Sequence, residues 1–331
     1  MMSSVNHEDF AHLKIPLESI LSATNNFAKE KIMYTDYIDD FEKRYRGQLL
    51  WSEEMIYVIV RRLVKEQDGV EQQFWMEISM LSSLNHKNLV SLVGFCDEND
   101  EKIIVIKSLD GLTWLTRGSL NRYLGNPILL TWVRRLEISV GIAQALSYIH
   151  YDDSHNFSVI HRNIDSLSIQ LNKDWEPKLG GFIRSVKIKV SERHNSFNTD
   201  KVWSTDGYTD PTYIETKSVN HKSDMYSFGI VMFELLCGRK AVIEGDQDNK
   251  YLASVAVAHY REKKLNEIID SGLWNQMDFQ SFDTFAEIAY ECLNEERSQR
   301  PNIDEIVARL EKALELQLEH VRRFFSSIIL S

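Results

Sequence analysis

Residues 224–238, "DMYSFGIVMFELLCG", are apolar nearly all the way round a helix. A helix without a polar face has to be enclosed by protein on every side. Gly238 is the residue type that ends a helix in left-handed backbone. The chain must therefore surround this segment with further helices, and the later sequence supplies them. "TWVRRLEISVGIAQALSYIHY" (131–151) is amphipathic, with Thr131 placed to cap it and Leu136, Val140, Ala143 and Ile149 toward one side. "FDTFAEIAYECL" (282–293) and "NIDEIVARLEKALELQLEHV" (302–321), the second entered after Pro301, complete the set.

The first third of the chain has a different period. "EKRYRGQLL" (42–50) and "MIYVIVRRL" (55–63) read as strands, the second rich in β-branched residues. "LVSLVGF" (89–95) and "KIIVIKSL" (102–109) add two more. Between them, "EQQFWMEISMLSSL" (71–84) spaces Phe74, Ile78 and Leu81 for a helix and sets Glu77 beside its apolar seam. "IPLESILSATNNF" (15–27) is a short helix, with Pro16 where a first turn tolerates proline and Leu17, Ile20 and Leu21 on one face. The pattern predicts an α+β chain. Its parts are an N-terminal extension (1–30), a small sheet lobe with one key helix (31–107), a link (108–120), a larger, mainly helical lobe (121–318) and a tail (319–331).

Composition narrows the partners. Against 38 Lys and Arg stand 49 Asp and Glu, a net charge of −11. Such a chain is poorly suited to nucleic acid or to an anionic membrane surface. Its three cysteines, Cys96, Cys237 and Cys292, form no C-x-x-C pair, which argues against a disulfide framework or zinc and for a reducing compartment. The start "MMSSVNHEDF" has neither a signal-peptide pattern nor the glycine that myristoylation requires, and no run is long enough to span a bilayer. A cytoplasmic protein is expected, reaching the inner face of the plasma membrane only through a partner.

In order, "YRGQL", "VIVRRL", "FWMEISML", "HKNLVSLVGFCDE", "IHRNI", "KLGGF", "GYTDPTY", "SDMYSFGIVMFELLCGR" and "RSQRPNIDEIV" resemble a eukaryotic protein kinase domain. More narrowly, they resemble a degenerate member of the plant receptor-like kinase group, which includes cytoplasmic members. The resemblance runs over residues 15–318 and implies a bilobal kinase-like fold with a five-stranded antiparallel sheet. It also implies the family's working parts: a glycine loop over the phosphates, a Lys–Glu pair, Mg²⁺ ligands and a loop aspartate as base.

Carried over one at a time, those parts are mostly absent. The phosphate loop falls in 31–47, which has no glycine before Gly47. Tyr34, Asp36, Tyr37, Asp39 and Asp40 fill the turn, and three of those five are carboxylates. The strand lysine matches Arg61, which the resemblance pairs with Glu77; a register slip would put Arg62 there instead. The loop base matches Asn163, an amide without useful basicity. The lysine after it matches Asp165, which would have to act from a shifted position to serve as base. The metal ligands match Ser168 and Gly181, the latter in "GFI", so no metal site is expected. Arg44, Ile59, Ile106 and Gln170 match the lining of the adenine slot, with Ile59 adding bulk.

The frame is kept. The family's hydrophobic spine matches Leu81, Leu92, His161 and Phe182, anchored by Asp224. Arg300 remains while its usual acidic partner matches Thr212; Glu215 is the candidate replacement. The link carries Leu112, Trp114 and Leu115, able to plug an empty cleft or to pack on their own lobe. The segment "SVKIKVSERHNSFNTDKVWST" (185–205) is basic and hydroxyl-rich. Ser191, Ser196, Thr199, Ser204 and Thr205 are candidate phosphorylation sites there, and Arg162 is the candidate phosphate contact. "HVRRFFSSIILS" reads as a docked terminus. The expected function is that of a catalytically inactive kinase-fold protein, with ATP and Mg²⁺ binding lost or weak. It would act as scaffold, decoy or allosteric partner of an active receptor-like kinase or immune receptor. The alternatives are a weak or atypical Ser/Thr kinase using Asp165 and a non-catalytic ATP sensor.

Overall fold

The computed structural model describes residues 7–33, 42–64, 69–108, 117–243, 245 and 250–329. The expectations for Tyr34, Asp36, Tyr37, Asp39 and Asp40, and for Leu112, Trp114 and Leu115, lie outside the described residues. The chain forms two compact units. The first takes residues 1–119 together with 169–185; the second takes 120–168 and 186–331.

In the first unit, α1 (Leu17–Thr24) precedes a hairpin of β1 (Glu42–Trp51) and β2 (Glu54–Leu63). Helix α2 (Val70–Leu81) and strands β3 (Leu92–Cys96) and β4 (Ile103–Lys107) follow. The antiparallel sheet has the order β1-β2-β4-β3. Among the described residues the expected fifth strand is a single bridge, Ile32 to Tyr45, on the outer edge of β1.

Alternation along β2 explains its unbroken apolar run. Val58 and Val60 join Tyr45, Leu49, Ile103 and Val105 in a buried cluster with Ile15 and Ile20, on the face that α1 covers. Ile59 and Arg61 point the other way, toward α2. A sheet covered on both faces needs apolar residues at successive positions, which β2 has. Three short strands complete the unit: β5 (Gly118–Ser119), and two that lie beyond β6, namely β7 (Ile169–Leu171) and β8 (Pro177–Leu179), in the order β5-β7-β8.

The N-terminal segment straps this unit. Ile15 donates its N–H to the Phe95 carbonyl at 2.8 Å, and Lys14 bridges to Phe95 on the free edge of β3. His7 stacks on Trp75 of α2, rings 3.9 Å apart and 12° from parallel. The strap passes so close to Gly94 that a Cβ there would lie 2.3 Å from the Leu13 carbonyl oxygen. Only glycine leaves that room.

The second unit contains α3 (Trp132–Tyr151), β6 (Phe157–Ile160), β9 (Val186–Lys189), β10 (Phe197–Asn198), α4 (Pro211–Thr216) and β11 (Ser218–Val219). It ends with α5 (His221–Cys237), α6 (Leu252–Arg261), α7 (Ser271–Trp274), α8 (Phe279–Cys292) and α9 (Ile303–Ile329). Helix α5 is the enclosed element foreseen from its composition: Phe228, Ile230, Val231, Met232, Phe233, Leu235 and Leu236 have no exposed surface. It packs against α3, α6 and α8, while α9 lies on α3 and α8. Asn220 caps its start through a reciprocal box with Ser223, and Gly238 ends it at φ 69°. Arg135 of α3 is fully buried and donates to the carbonyls of Leu124, Leu130 and Leu235 at 2.8, 2.7 and 2.6 Å. Burial pushes its pKa down to about 10.

The described part of residues 319–331 is helical as far as Ile329. Helix α9 continues through them, with Arg322, Arg323 and Phe324 exposed. No helix among the described residues is long and apolar enough to cross a membrane. Replacing Gly94 by alanine should force the strap off β3 and cost about 1–3 kcal/mol. A thermal midpoint unchanged from the parent protein would show that the strap tolerates the added Cβ.

Candidate functional site

The strand register puts two guanidinium groups side by side, because Arg44 of β1 is the cross-strand partner of Arg61 of β2. Like charges directly opposite destabilise a sheet. Here Glu42, diagonal to Arg61, lies between them. Its Oε2 accepts from Arg61 Nε at 2.9 Å and Nη2 at 2.7 Å, and its Oε1 accepts from Arg44 Nε. The third donor of Arg61, Nη1, reaches Glu77 Oε1 of α2 at 2.8 Å. Two cations and two carboxylates thus close a neutral cluster. The Arg61 and Glu77 side chains are 7% and 0% exposed. Burial acts to raise the Glu42 pKa, but Arg44 and Arg61 overcome it and hold the carboxyl down at about 2. For Arg61, burial acts to lower the pKa, yet Glu42 and Glu77 hold it above its usual range.

The expected Arg61–Glu77 pair is present, and the register leaves no room for the slip. Arg62 faces the other way and pairs bidentately with Glu101 at 2.8 and 2.7 Å. Glu42 is the member of this cluster that sequence reading missed. It lies in the stretch assigned to the phosphate loop, and only the strand register shows where it points. Ile59 and Ile106 are cross-strand partners, 7% and 6% exposed. Gln170 pairs with Ser119 between β7 and β5. In the same unit, Gly181 has φ 82° and opens a turn at Phe182–Arg184 that packs against α2. Phe182 is fully buried, Leu81 is 3% exposed, and Leu92 is half-buried.

In the second unit, Asp224 organises the loop after β6. Its Oδ2 accepts from the His161 N–H at 2.7 Å, and its Oδ1 from the Arg162 N–H at 2.8 Å. Arg162 holds φ 64°, a left-handed backbone that a non-glycine residue adopts only when its surroundings enforce it. The two N–H bonds supply that enforcement. Further along the loop, Asp165 is 1% exposed. Its Oδ1 accepts from the N–H groups of Leu167 and Ser168 at 3.0 and 2.6 Å. Ser168 Oγ donates to the Asp165 carbonyl at 2.8 Å, and the Asp165 N–H donates back to Ser168 Oγ at 3.1 Å. The two side chains therefore lock their own turn. Asn163 is 7% exposed, and its N–H meets His161 Nδ1 at 3.2 Å. Among the described residues no group of three or more His, Cys, Asp or Glu side chains could hold a metal.

The segment after β8 is tied down. β9 pairs with β6, and β10 pairs with β11. Ser191, Ser196 and Ser204 are exposed, while Thr199 and Thr205 are half-buried. Arg162 reaches Tyr213, whose hydroxyl also meets Thr199 Oγ1 at 3.3 Å, the Trp203 N–H at 3.2 Å and the Lys201 carbonyl at 3.1 Å. The phenol thus stands where a phosphate was expected to meet Arg162.

One expectation needs correcting. Arg300 pairs with Asp210 rather than with Glu215: Nη2 meets Oδ1 at 3.0 Å, with both side chains 1% exposed. Arg297 takes the other carboxylate oxygen at 2.7 Å. Asp210, next to the "DPTY" proline, does what the position of Thr212 cannot. Removing Arg300 should leave a buried carboxylate half-paired and cost about 3–5 kcal/mol. A denaturant titration of Arg300→Ala showing under 1 kcal/mol, on the order of an exposed pair, would contradict that burial.

A second prediction concerns acid. His221 stacks on His150 at 4.2 Å and 29°, and its Nε2 lies 2.9 Å from Ser158 Oγ. His150 Nε2 is 2.9 Å from Asp224 Oδ2. Burial, then the neighbouring His150, pushes the His221 pKa from 6.5 down to about 2. With the folded value depressed, stability is full above pH 6.5 and falls as pH drops below it, by about 1.4 kcal/mol per unit. Melts between pH 7.5 and 5.5 should show a shallower decline for His221→Gln than for the parent.

Comparison with known proteins fits this geometry. A family model described as protein tyrosine and serine/threonine kinase matches residues 40–310. Receptor-like protein kinase HERK 1 of Arabidopsis thaliana is 34% identical over 312 residues, 93% of this chain and 35% of that protein. Receptor-like protein kinase FERONIA of the same plant is 34% identical over 315 residues, 94% and 33% of the two chains. Receptor-like protein kinase THESEUS 1 is 33% identical over 306 residues, 91% and 34%. The chain spans about a third of the length of these curated relatives. With an antiparallel sheet unit, a helical unit and a family match over most of its length, this chain belongs to the protein kinase family and is similar to plant receptor-like kinases.

Proposed function

We propose that this chain is a kinase-fold protein without phosphotransfer chemistry, acting as scaffold, decoy or allosteric partner of an active receptor-like kinase in the cytoplasm. The observation that carries this reading is the state of Asp165. General-base catalysis needs a basic atom within reach of the substrate hydroxyl. Asn163 has no such atom, and the Asp165 carboxylate is buried and committed to the N–H groups of Leu167 and Ser168. The residues at the metal positions do not fit Mg²⁺ either. Gly181 has no side-chain donor, and the Ser168 hydroxyl donates to the Asp165 carbonyl.

The test is transfer of labelled phosphate from ATP, with Mg²⁺ or Mn²⁺, to the chain itself and to a generic basic protein. The expected signal equals that of Arg61→Ala. Transfer that Arg61→Ala abolishes would sink the proposal. Transfer that needs Asp165 and survives Asn163→Ala would make the chain an atypical kinase instead.

A further inference from the structure

We infer that Glu42 is a built-in counter-anion: it occupies, on Arg61, the place that a phosphate-bearing ligand would take. This rests on the reading above and deepens it, since it names the residue that closes the site to anions. Arg61 offers a planar edge formed by Nε and Nη2, the arrangement that binds a carboxylate or a phosphate through two parallel bonds. Both donors of that edge converge on Glu42 Oε2, at 2.9 and 2.7 Å. The bond from Nη1 goes to Glu77 Oε1 at 2.8 Å. An incoming anion would therefore have to displace a carboxylate that is already present.

Two features favour the resident group. Glu42 is attached to the same hairpin as Arg61, so it competes as an intramolecular ligand at high effective concentration. It also separates Arg44 from Arg61, which the register makes direct neighbours. Displacing it would bring those two cations together without a bridging charge. Drawing Arg61 away from α2 would cost more, because among the described residues Glu77 Oε2 is already buried without a hydrogen-bond partner. Loss of Arg61 would strip the Glu77 carboxylate of its other oxygen's donor. With Glu42 neutral, by contrast, two guanidinium groups face one carboxylate, and the cluster carries a net positive charge.

The experiment compares the parent chain, Glu42→Gln and the double variant Glu42→Gln/Arg61→Met. Each is titrated with tripolyphosphate free of metal, at constant ionic strength, and followed by thermal unfolding and calorimetry. Glu42→Gln should melt lower than the parent in buffer and should bind tripolyphosphate about tenfold to a hundredfold more tightly. The double variant should lose that gain. If Glu42→Gln is unfolded in buffer, tripolyphosphate should refold it where chloride at equal ionic strength does not. Parent and Glu42→Gln responding alike, or an unfolded Glu42→Gln that tripolyphosphate leaves unfolded, overturns the inference. Phosphate transfer by the parent in the assay above counts against the proposed function, whereas tripolyphosphate responses that do not differ between parent and Glu42→Gln count against this inference alone.

Discussion

A charge taken out of water must be met by an opposite charge or by enough hydrogen-bond donors, and both units of this chain are arranged around that requirement. In the first, Arg61 is enclosed by Glu42 and Glu77, which fixes the β1–β2 hairpin and α2 relative to each other. In the second, Asp224 is enclosed by His150 and by the N–H groups of His161 and Arg162, which fixes the loop after β6 on α5. Asp210 plays the same part between α4 and the segment ahead of α9. Each of these charges is met by partners from the chain itself. Breaking any one leaves its counterpart buried and unpaired, which is costlier than the pair is stabilising.

Saturation of this kind separates frame from chemistry. A catalytic centre keeps strained or under-satisfied groups ready for a substrate. Here the loop carboxylate Asp165 is spent on its own turn, and the strand cation Arg61 is spent on its own sheet. The chain is 34% identical to a receptor-like kinase over 93% of its length, and Arg61 and Asp165 bond to groups of the chain itself. The residues that shape the core follow the family.

How much of this could be read in advance depended on range in sequence. The enclosed helix α5 was legible because 15 consecutive residues, 224–238, carry their own evidence of burial. The Arg61–Glu77 pair was legible because the family resemblance joins those two positions and helical spacing sets Glu77 beside the seam. Glu42 was not, because its role depends on a register that joins residues 42 and 61 across a hairpin. Asp210 was missed for a similar reason: the family's acidic position matches Thr212, and only the fold shows that the carboxylate two residues before it reaches Arg300 across 90 residues of chain. The Asp165–Ser168 turn is different. Aspartate and serine three apart often close a local turn through the backbone, and that spacing is present in the sequence, where the family resemblance points to catalytic posts instead.

The strap ahead of α1 bears on how the chain behaves if shortened. The family match begins at residue 40, yet Lys14 and Ile15 cover the edge of β3, and Ile15 and Ile20 fill the cluster on one face of the sheet. A piece trimmed to the family boundary would present bare backbone donors and acceptors along β3 beside an uncovered apolar face. Unpaired edges of that kind recruit other strands. The segment that lies outside the family's own outline thus covers both that edge and that face.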